Sequence, residues 1–274
     1  MSAANGRHVR LAAERLRLAY DRREVIGGLS LAVPAGGITA IVGANACGKS
    51  TLLRGLARLL KPAGGAVHLD GADIQRLSTK DVATRMAILP QSPTAPEGIT
   101  AGDLVARGRH PHQTWLRQWS AADEEAVAAA MAATETLDLA ARPVDELSGG
   151  QRQRVWIALA LAQDCPILLL DEPTTFLDLA HQVEVLDLLA DLNRRDGRTI
   201  VLVLHDLNQA CRYSHHVVAM RDGAIVAEGR PDDVVTAPLV EQVFGLRCEV
   251  LPDPVSHTPM VIPIGRHLRL EGAA

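Results

Sequence analysis

Apolar positions along the chain follow two rhythms. Ile38-Thr39-Ala40-Ile41-Val42, Ile167-Leu168-Leu169-Leu170 and Thr199-Ile200-Val201-Leu202-Val203-Leu204 are nearly unbroken apolar runs. Runs of this length predict strands covered on both faces, as in a parallel sheet. Arg85-Met86-Ala87-Ile88-Leu89 reads as another strand, stopped by Pro90, and Val67-His68-Leu69-Asp70-Gly71 as a short strand entering a turn. Leu16-Arg17-Leu18-Ala19-Tyr20 and Leu29-Ser30-Leu31-Ala32-Val33 alternate instead, which predicts half-buried strands. Val217–Met220 and Ala224–Ala227 flank Arg221-Asp222-Gly223, whose Asp-Gly pair signals a hairpin.

Helical spacing fills the gaps. It runs from Ser50 to Leu60, until Lys61-Pro62-Ala63-Gly64-Gly65 turns the chain. A helical section starts at about Thr100, and Ser120 caps an Ala-rich helix through Met131 with Asp123 in its first turn. Ser148 and Gln151 have capping-box spacing, ahead of a helix through Val155, Leu159 and Ala162 that stops before Pro166. Strands and helices otherwise alternate, which predicts an α/β core with an inserted helical subdomain. Residues 1–10 read as a frayed start. The stretch Pro252–Pro263, with four prolines, gives little signal.

The first apolar run leads into Gly43-Ala44-Asn45-Ala46-Cys47-Gly48-Lys49-Ser50-Thr51, which fits G-x-x-x-x-G-K-[ST] between a strand and a helix. Glycines let successive N–H groups point at one anion, and the helix N-terminus adds roughly half a positive charge. Lys49 then reaches β- and γ-phosphates, and the Ser50 hydroxyl is a ligand for Mg2+. Only three of the 28 basic residues are lysines, yet this position keeps Lys, a compact charge that a planar guanidinium replaces poorly.

A second chemical signal ends the run Ile167–Leu170. Asp171 and Glu172 follow it, where ligands of parallel sheets bind and where packing explains two carboxylates poorly. Asp171 is placed to hold Mg2+ through water, and Glu172 to orient or deprotonate an attacking water. His205, at the tip of the strand ending in Leu204, is a candidate γ-phosphate contact. Two glycines after Ser148 leave helix N–H groups open to an anion, although by itself the stretch reads first as a well-capped helix with no ligand. Gln91, in a loop with Pro93, Pro96 and Gly98, carries no signal of its own.

Composition narrows the class. The 274 residues are 47% hydrophobic, enough for one large core or two modest ones. Lys+Arg 28 against Asp+Glu 32 gives net −4, so no nucleic-acid footprint is expected. Cys47, Cys165, Cys211 and Cys248 contain no C-x-x-C pair and read as reduced thiols. The first 20 residues show no secretory signal, and no run of about 18 apolar residues occurs. A role at a membrane would need other chains to span it.

In this order the motifs resemble those of an ATP-binding cassette ATPase, over about Leu16 to Gly265. Gly43–Thr51 is similar to the Walker A motif, Gln91 to the Q-loop, Leu147-Ser148-Gly149-Gly150-Gln151 to the LSGGQ signature and Ile167–Glu172 to Walker B. Leu177-Asp178 resembles the D-loop, His205 the switch histidine and Tyr20 the adenine-stacking position. The resemblance implies a P-loop NTPase (RecA-like) α/β core over residues 1–92 and 157–250 with an antiparallel β edge, a helical subdomain over 93–156 and a tail over 251–274. It implies ATP and Mg2+ as cofactors. Tyr20, Gly43, Asn45, Ala46, Cys47, Gly48, Lys49, Ser50 and Thr51 would bind the nucleotide. Ser148, Gly149, Gly150, Gln151 and Asp178 would bind it from a second copy in a head-to-tail homodimer. Ser50, Gln91 and Asp171 would hold the metal, and Glu172, His205 and Gln91 would serve catalysis.

Thr174–Gln182, Leu104–His112 and His205–Ala210 are more similar to importers of ferric siderophores, most of all the ferric-enterobactin type. Haem and cobalamin importers share part of this pattern. Such ATPases sit peripherally on the cytoplasmic face of the cell membrane, with two permease subunits and a siderophore-binding protein. Soluble cassette proteins acting on nucleic acid or ribosomes usually carry two cassettes or a long coiled-coil insertion, and this chain has neither. Ala44 and Ala46 depart from the usual Pro and Gly. If position 46 needs positive φ, Ala costs about 1 kcal/mol relative to Gly.

Overall fold

The computed structural model describes residues 9–21, 23–114, 119–175 and 177–265. Strands β1 (Val9–Tyr20) and β2 (Arg23–Pro34) pair antiparallel and lead to β3 (Ile38–Gly43) and α1 (Lys49–Leu56). β4 (Gly64–Leu69), β5 (Ala72–Asp73), α2 (Thr79–Ala83) and β6 (Met86–Leu89) follow. The helical section comprises α3 (Ala101–Ala106), α4 (Ala121–Ala133) and α5 (Gly149–Ala162). Ser120 and Ser148 cap their helices through their hydroxyls, as the sequence leads one to expect, and Thr100 caps α3 in the same way. The chain then returns to β7 (Ile167–Asp171), α6 (Leu179–Asp196), β8 (Thr199–Val203), α7 (Leu207–Tyr213), β9 (His216–Arg221) and β10 (Ala224–Gly229). α8 (Pro231–Val234), α9 (Ala237–Phe244), β11 (Cys248–Pro252) and β12 (Pro259–Pro263) complete it.

The central sheet has the order β10-β9-β3-β8-β7-β6, parallel except for the β9–β10 hairpin at one edge. Its strands supply both faces by strict alternation. Ile38, Ala40, Val42, Leu168, Leu170, Ile200 and Leu202 enter one apolar core with α5 and α6. Ile41, Ile167, Leu169, Val201 and Val203 enter the other. That second core is closed by the antiparallel sheet β2-β1-β4-β5, with Leu52, Leu53 and Leu56 of α1 in the same cluster. The phosphate-loop helix therefore has an apolar face toward each sheet.

Four details differ from the sequence reading. β1 begins at Val9, inside the stretch read as frayed; residues 1–8 lie outside the described residues. α1 ends at Leu56 rather than Leu60, because Arg58 takes φ 60 and the Leu59 and Leu60 N–H groups both turn back to the Arg54 carbonyl. Apolar spacing alone does not separate a helix from such a turn. α5 runs unbroken across 156/157, so the subdomain boundary proposed there falls inside a helix. The boundary at 250/251 falls inside β11, and 248–263 forms a hairpin whose prolines pair at its ends, Cys248 with Pro263 and Pro252 with Pro259. Residues 266–274 of the tail lie outside the described residues.

Candidate functional site

Parallel register builds the site. Leu89 of β6 pairs with Leu170 of β7, and Asp171 with Val203 of β8. Gln91 stands two residues beyond β6, Glu172 one beyond β7 and His205 two beyond β8, all on the carboxyl edge. β3 lies beside β8 with Ile41 opposite Val203, so the phosphate loop leaves the sheet at the same edge.

The loop itself is tightly specified. A Cβ on Gly43 would lie 2.3 Å from the Met220 carbonyl oxygen and 2.7 Å from Cys47 Sγ. Cys47 is buried behind the loop, where burial pushes its thiol up and Lys49 partly offsets that. Gly48 takes φ 106 as the residue preceding α1. Ala46 takes φ 61, so the positive-φ condition is met and a methyl occupies a position that favours glycine. Lys49 is 5% exposed and its Nζ donates to the Gly43 and Ala44 carbonyls at 2.9 and 3.0 Å.

Ser50 donates its hydroxyl to Asp171 Oδ1 at 2.9 Å. Burial raises the Asp171 carboxyl above the usual carboxylate range; the Ser50 hydrogen bond opposes this and the Glu172 charge adds to it. Glu172 is the hub. Gln91 Nε2 donates to its Oε2 at 2.7 Å, Thr175 Oγ1 to the same oxygen at 3.2 Å, and His205 Nε2 lies 2.6 Å from Oε1. Asn45, Ala46, Gly48, Lys49, Ser50, Thr51, Gln91, Glu172 and His205 line one cleft of about 530 Å3. Arg23 and Val25 of β2 line it too. The sequence reading missed both, although period-2 spacing after Tyr20 puts them on one face.

Other expected site residues stand apart from this cleft. Tyr20 is 40% exposed at the end of β1, its hydroxyl accepting from Arg54 at 3.2 Å. Ser148 and Gln151 close a reciprocal capping box, with Gln151 N donating to Ser148 Oγ at 3.2 Å and Ser148 N to Gln151 Oε1 at 3.1 Å. Gly149 and Gly150 follow at the start of α5, and Gly149 lines a second cleft of about 510 Å3 with Gln91, Arg152, Gln153 and Trp156. Asp178 caps α6, accepting from His181 N at 3.0 Å, and the hydrogen bonds from His181 hold its carboxyl below the usual range. None of Ser148, Gly149, Gly150, Gln151 or Asp178 lines the phosphate-loop cleft of its own chain. Phe176, within the run resembling siderophore importers, lies outside the described residues.

Among the described residues no helix is long and apolar enough to cross a membrane. The sequence profile of the ABC transporter family matches residues 26–175. The chain is 55% identical to the achromobactin transport ATP-binding protein CbrD of Dickeya dadantii (strain 3937), over 96% of this chain and 98% of that one. It is 54% identical to the ferric enterobactin transport ATP-binding protein FepC of Escherichia coli (strain K12), over 94% and 95%. Among solved structures, one described as an inward-facing metal-chelate type ABC transporter superposes with TM-score 0.80 at 28% identity, covering 94% of this chain and 98% of that one. A dimeric bacterial ABC transporter cassette superposes with TM-score 0.73 at 26% identity, covering 80% and 98%. A phosphate loop, two carboxylates and a histidine gathered on one sheet edge agree with that profile, and the chain belongs to the ABC transporter family as an ATP-binding cassette.

Proposed function

We propose that this chain is the ATP-hydrolysing subunit of an importer that carries ferric siderophores across the cytoplasmic membrane. The observation that carries the chemistry is the convergence of Gln91, Glu172 and His205, from three strand ends, on the cleft that holds Lys49 and Ser50. The cargo reading rests on CbrD and FepC, both siderophore transport proteins by name and both similar over nearly their whole length.

Lys49 and the loop N–H groups hold the β- and γ-phosphates, and the residue at position 20 offers its ring to adenine. Ser50, Asp171 and the Gln91 amide oxygen are hard oxygen donors, the set that suits Mg2+ bound together with phosphates. When bound there, Mg2+ neutralises phosphate charge. Glu172 orients a water and takes its proton as the water oxygen attacks the γ-phosphorus, giving ADP and phosphate. His205 holds Glu172 and faces the γ-phosphate. Ser148, Gly149, Gly150, Gln151 and Asp178 complete the site from a second copy, so the working form is a head-to-tail homodimer with two shared sites. Their position outside the cleft of their own chain supports this. Two permease subunits dock on the cleft by Gln91 and Trp156, and a siderophore-binding protein delivers cargo to them. The ATPase sits peripherally on the cytoplasmic face and never touches the cargo.

Deleting the gene should abolish uptake of radio-iron presented as ferric siderophore, and Glu172→Gln should fail to restore it. The purified Glu172→Gln chain should bind ATP, elute as a stable dimer in its presence and hydrolyse almost none. Loss of haem or cobalamin uptake with normal siderophore uptake would overturn the cargo. Wild-type hydrolysis by Glu172→Gln would overturn the chemistry.

A further inference from the structure

Glu172 takes φ 55, a left-handed conformation that an L-residue holds only where its surroundings impose it. Its carboxylate is held by Gln91 from the loop after β6 and, further along the chain, gripped from two turns. Thr175 belongs to the turn between β7 and α6, and His205 to the turn between β8 and α7. Gln91 and Thr175 share Oε2, so the approach of Oε1 to His205 depends on how far apart the two turns stand.

The same two turns are joined a second time, away from the carboxylate, by a pair of glutamines. Gln182, in the first turn of α6, donates its amide to the Leu177 carbonyl at 3.0 Å. Its amide oxygen accepts from Gln209 Nε2 at 2.8 Å. Gln209 lies in the first turn of α7, four residues after His205, and its backbone N–H donates to the Asp206 cap at 2.9 Å. The links close a ring. It runs from the Glu172 carboxylate to His205, along the chain into α7, across Gln209 and Gln182 to the Leu177 carbonyl, and back along the chain to Glu172.

The fold does not need this pair to bring the helices together. Val185, Leu186 and Leu189 of α6 share an apolar core with Ala210 and Cys211 of α7. Neither glutamine lines the phosphate-loop cleft. Both are partly shielded from water, where a directional hydrogen bond fixes a spacing that apolar packing leaves loose.

We propose that Gln182 and Gln209 are positioning residues for hydrolysis: their hydrogen bond sets the spacing between the two turns and so holds the Glu172 carboxylate against His205. The proposal rests on the reading of Glu172 as the residue that handles the attacking water. A looser ring lets the carboxylate swing from the imidazole while the loop still holds nucleotide. The signature is a loss in kcat at constant KM.

The test is steady-state hydrolysis of Mg·ATP by the full-length chain and by Gln182→Leu, Gln209→Leu, the double variant and Gln209→Glu. One hydrogen bond of ordinary net strength corresponds to about a fivefold effect, so each single variant should lose about five- to tenfold in kcat. KM for ATP should stay within about twofold, and the double variant should be no slower than the slower single one, because both remove one link. Gln209→Glu keeps the shape but sets an acceptor against an acceptor. It should match Gln209→Leu near neutral pH, and its rate relative to wild type should rise as acid protonates the carboxyl and restores a donor. Single variants within about twofold of wild type overturn the proposal. So do multiplicative losses in the double variant, a rise in KM at unchanged kcat, or a loss that disappears once kcat is scaled to the folded fraction. An active Glu172→Gln would remove the underlying reading of Glu172. An inactive Glu172→Gln beside normal glutamine variants removes the ring alone.

Discussion

Replacing Ala46 by glycine probes the backbone of the phosphate loop with almost no change in packing. Ala46 holds φ 61, and its methyl is exposed, so the substitution opens no cavity and leaves only the backbone difference. Holding an L-residue in the left-handed region costs about 1–2 kcal/mol. Glycine gives back about 0.4–1 kcal/mol through its greater freedom in the unfolded chain. At the midpoints of these ranges the difference leaves Ala46→Gly more stable by about 0.8 kcal/mol. For a chain of this size that is a rise of about 1–3 °C in melting temperature, read by circular dichroism or calorimetry at fixed protein concentration without nucleotide. The same free energy bounds the change in Mg·ATP dissociation constant at about fourfold. A melting temperature that is unchanged or lower would refute the reasoning, because the loop would then not hold residue 46 at positive φ.

Two further outcomes follow from the cleft. Lys49→Ala removes the ammonium that reaches the loop carbonyls and, when nucleotide binds, the phosphates; charge-assisted bonds of about 1.5–3 kcal/mol imply about a 10- to 100-fold rise in ATP dissociation constant, measured with a fluorescent nucleotide. Near-normal binding would place the site elsewhere. Asp171 has a raised carboxyl because it is buried, so its contribution to stability is present below its unfolded pKa and lost as pH rises through the raised folded value. Asp171→Asn should therefore melt higher than wild type at neutral pH without Mg2+, while Mg2+ no longer supports hydrolysis; a lower melting temperature would contradict the sign.

Local features of this protein were legible in the sequence because local physics makes them. The caps at Ser120 and Ser148 and the Asp222-Gly223 turn follow from bonds spanning a few residues, and all three form as read. Unbroken apolar runs marked the strands covered on both faces, and the spacing of Gly43, Gly48, Lys49 and Ser50 marked the anion loop. Tertiary structure decided what meets what. Ser50 finds Asp171 from 121 positions away, and Gln91 finds Glu172 from 81, because parallel register brings separate strand ends to one edge. Gln91 looked like any loop glutamine until that register placed it on a carboxylate. Nothing local in the sequence pairs Gln182 with Gln209; α6 and α7 set their amides 2.8 Å apart. Arg23 and Val25 joined the cleft only through the packing of the antiparallel sheet over α1. The hairpin at 248–263 stayed hidden because its prolines supply no periodicity, and strand pairing across the register gives it form. Periodicity and capping act over one or two turns of chain and can be read along it; strand order and side-chain meetings are set by burial between distant segments, which only the folded chain brings together.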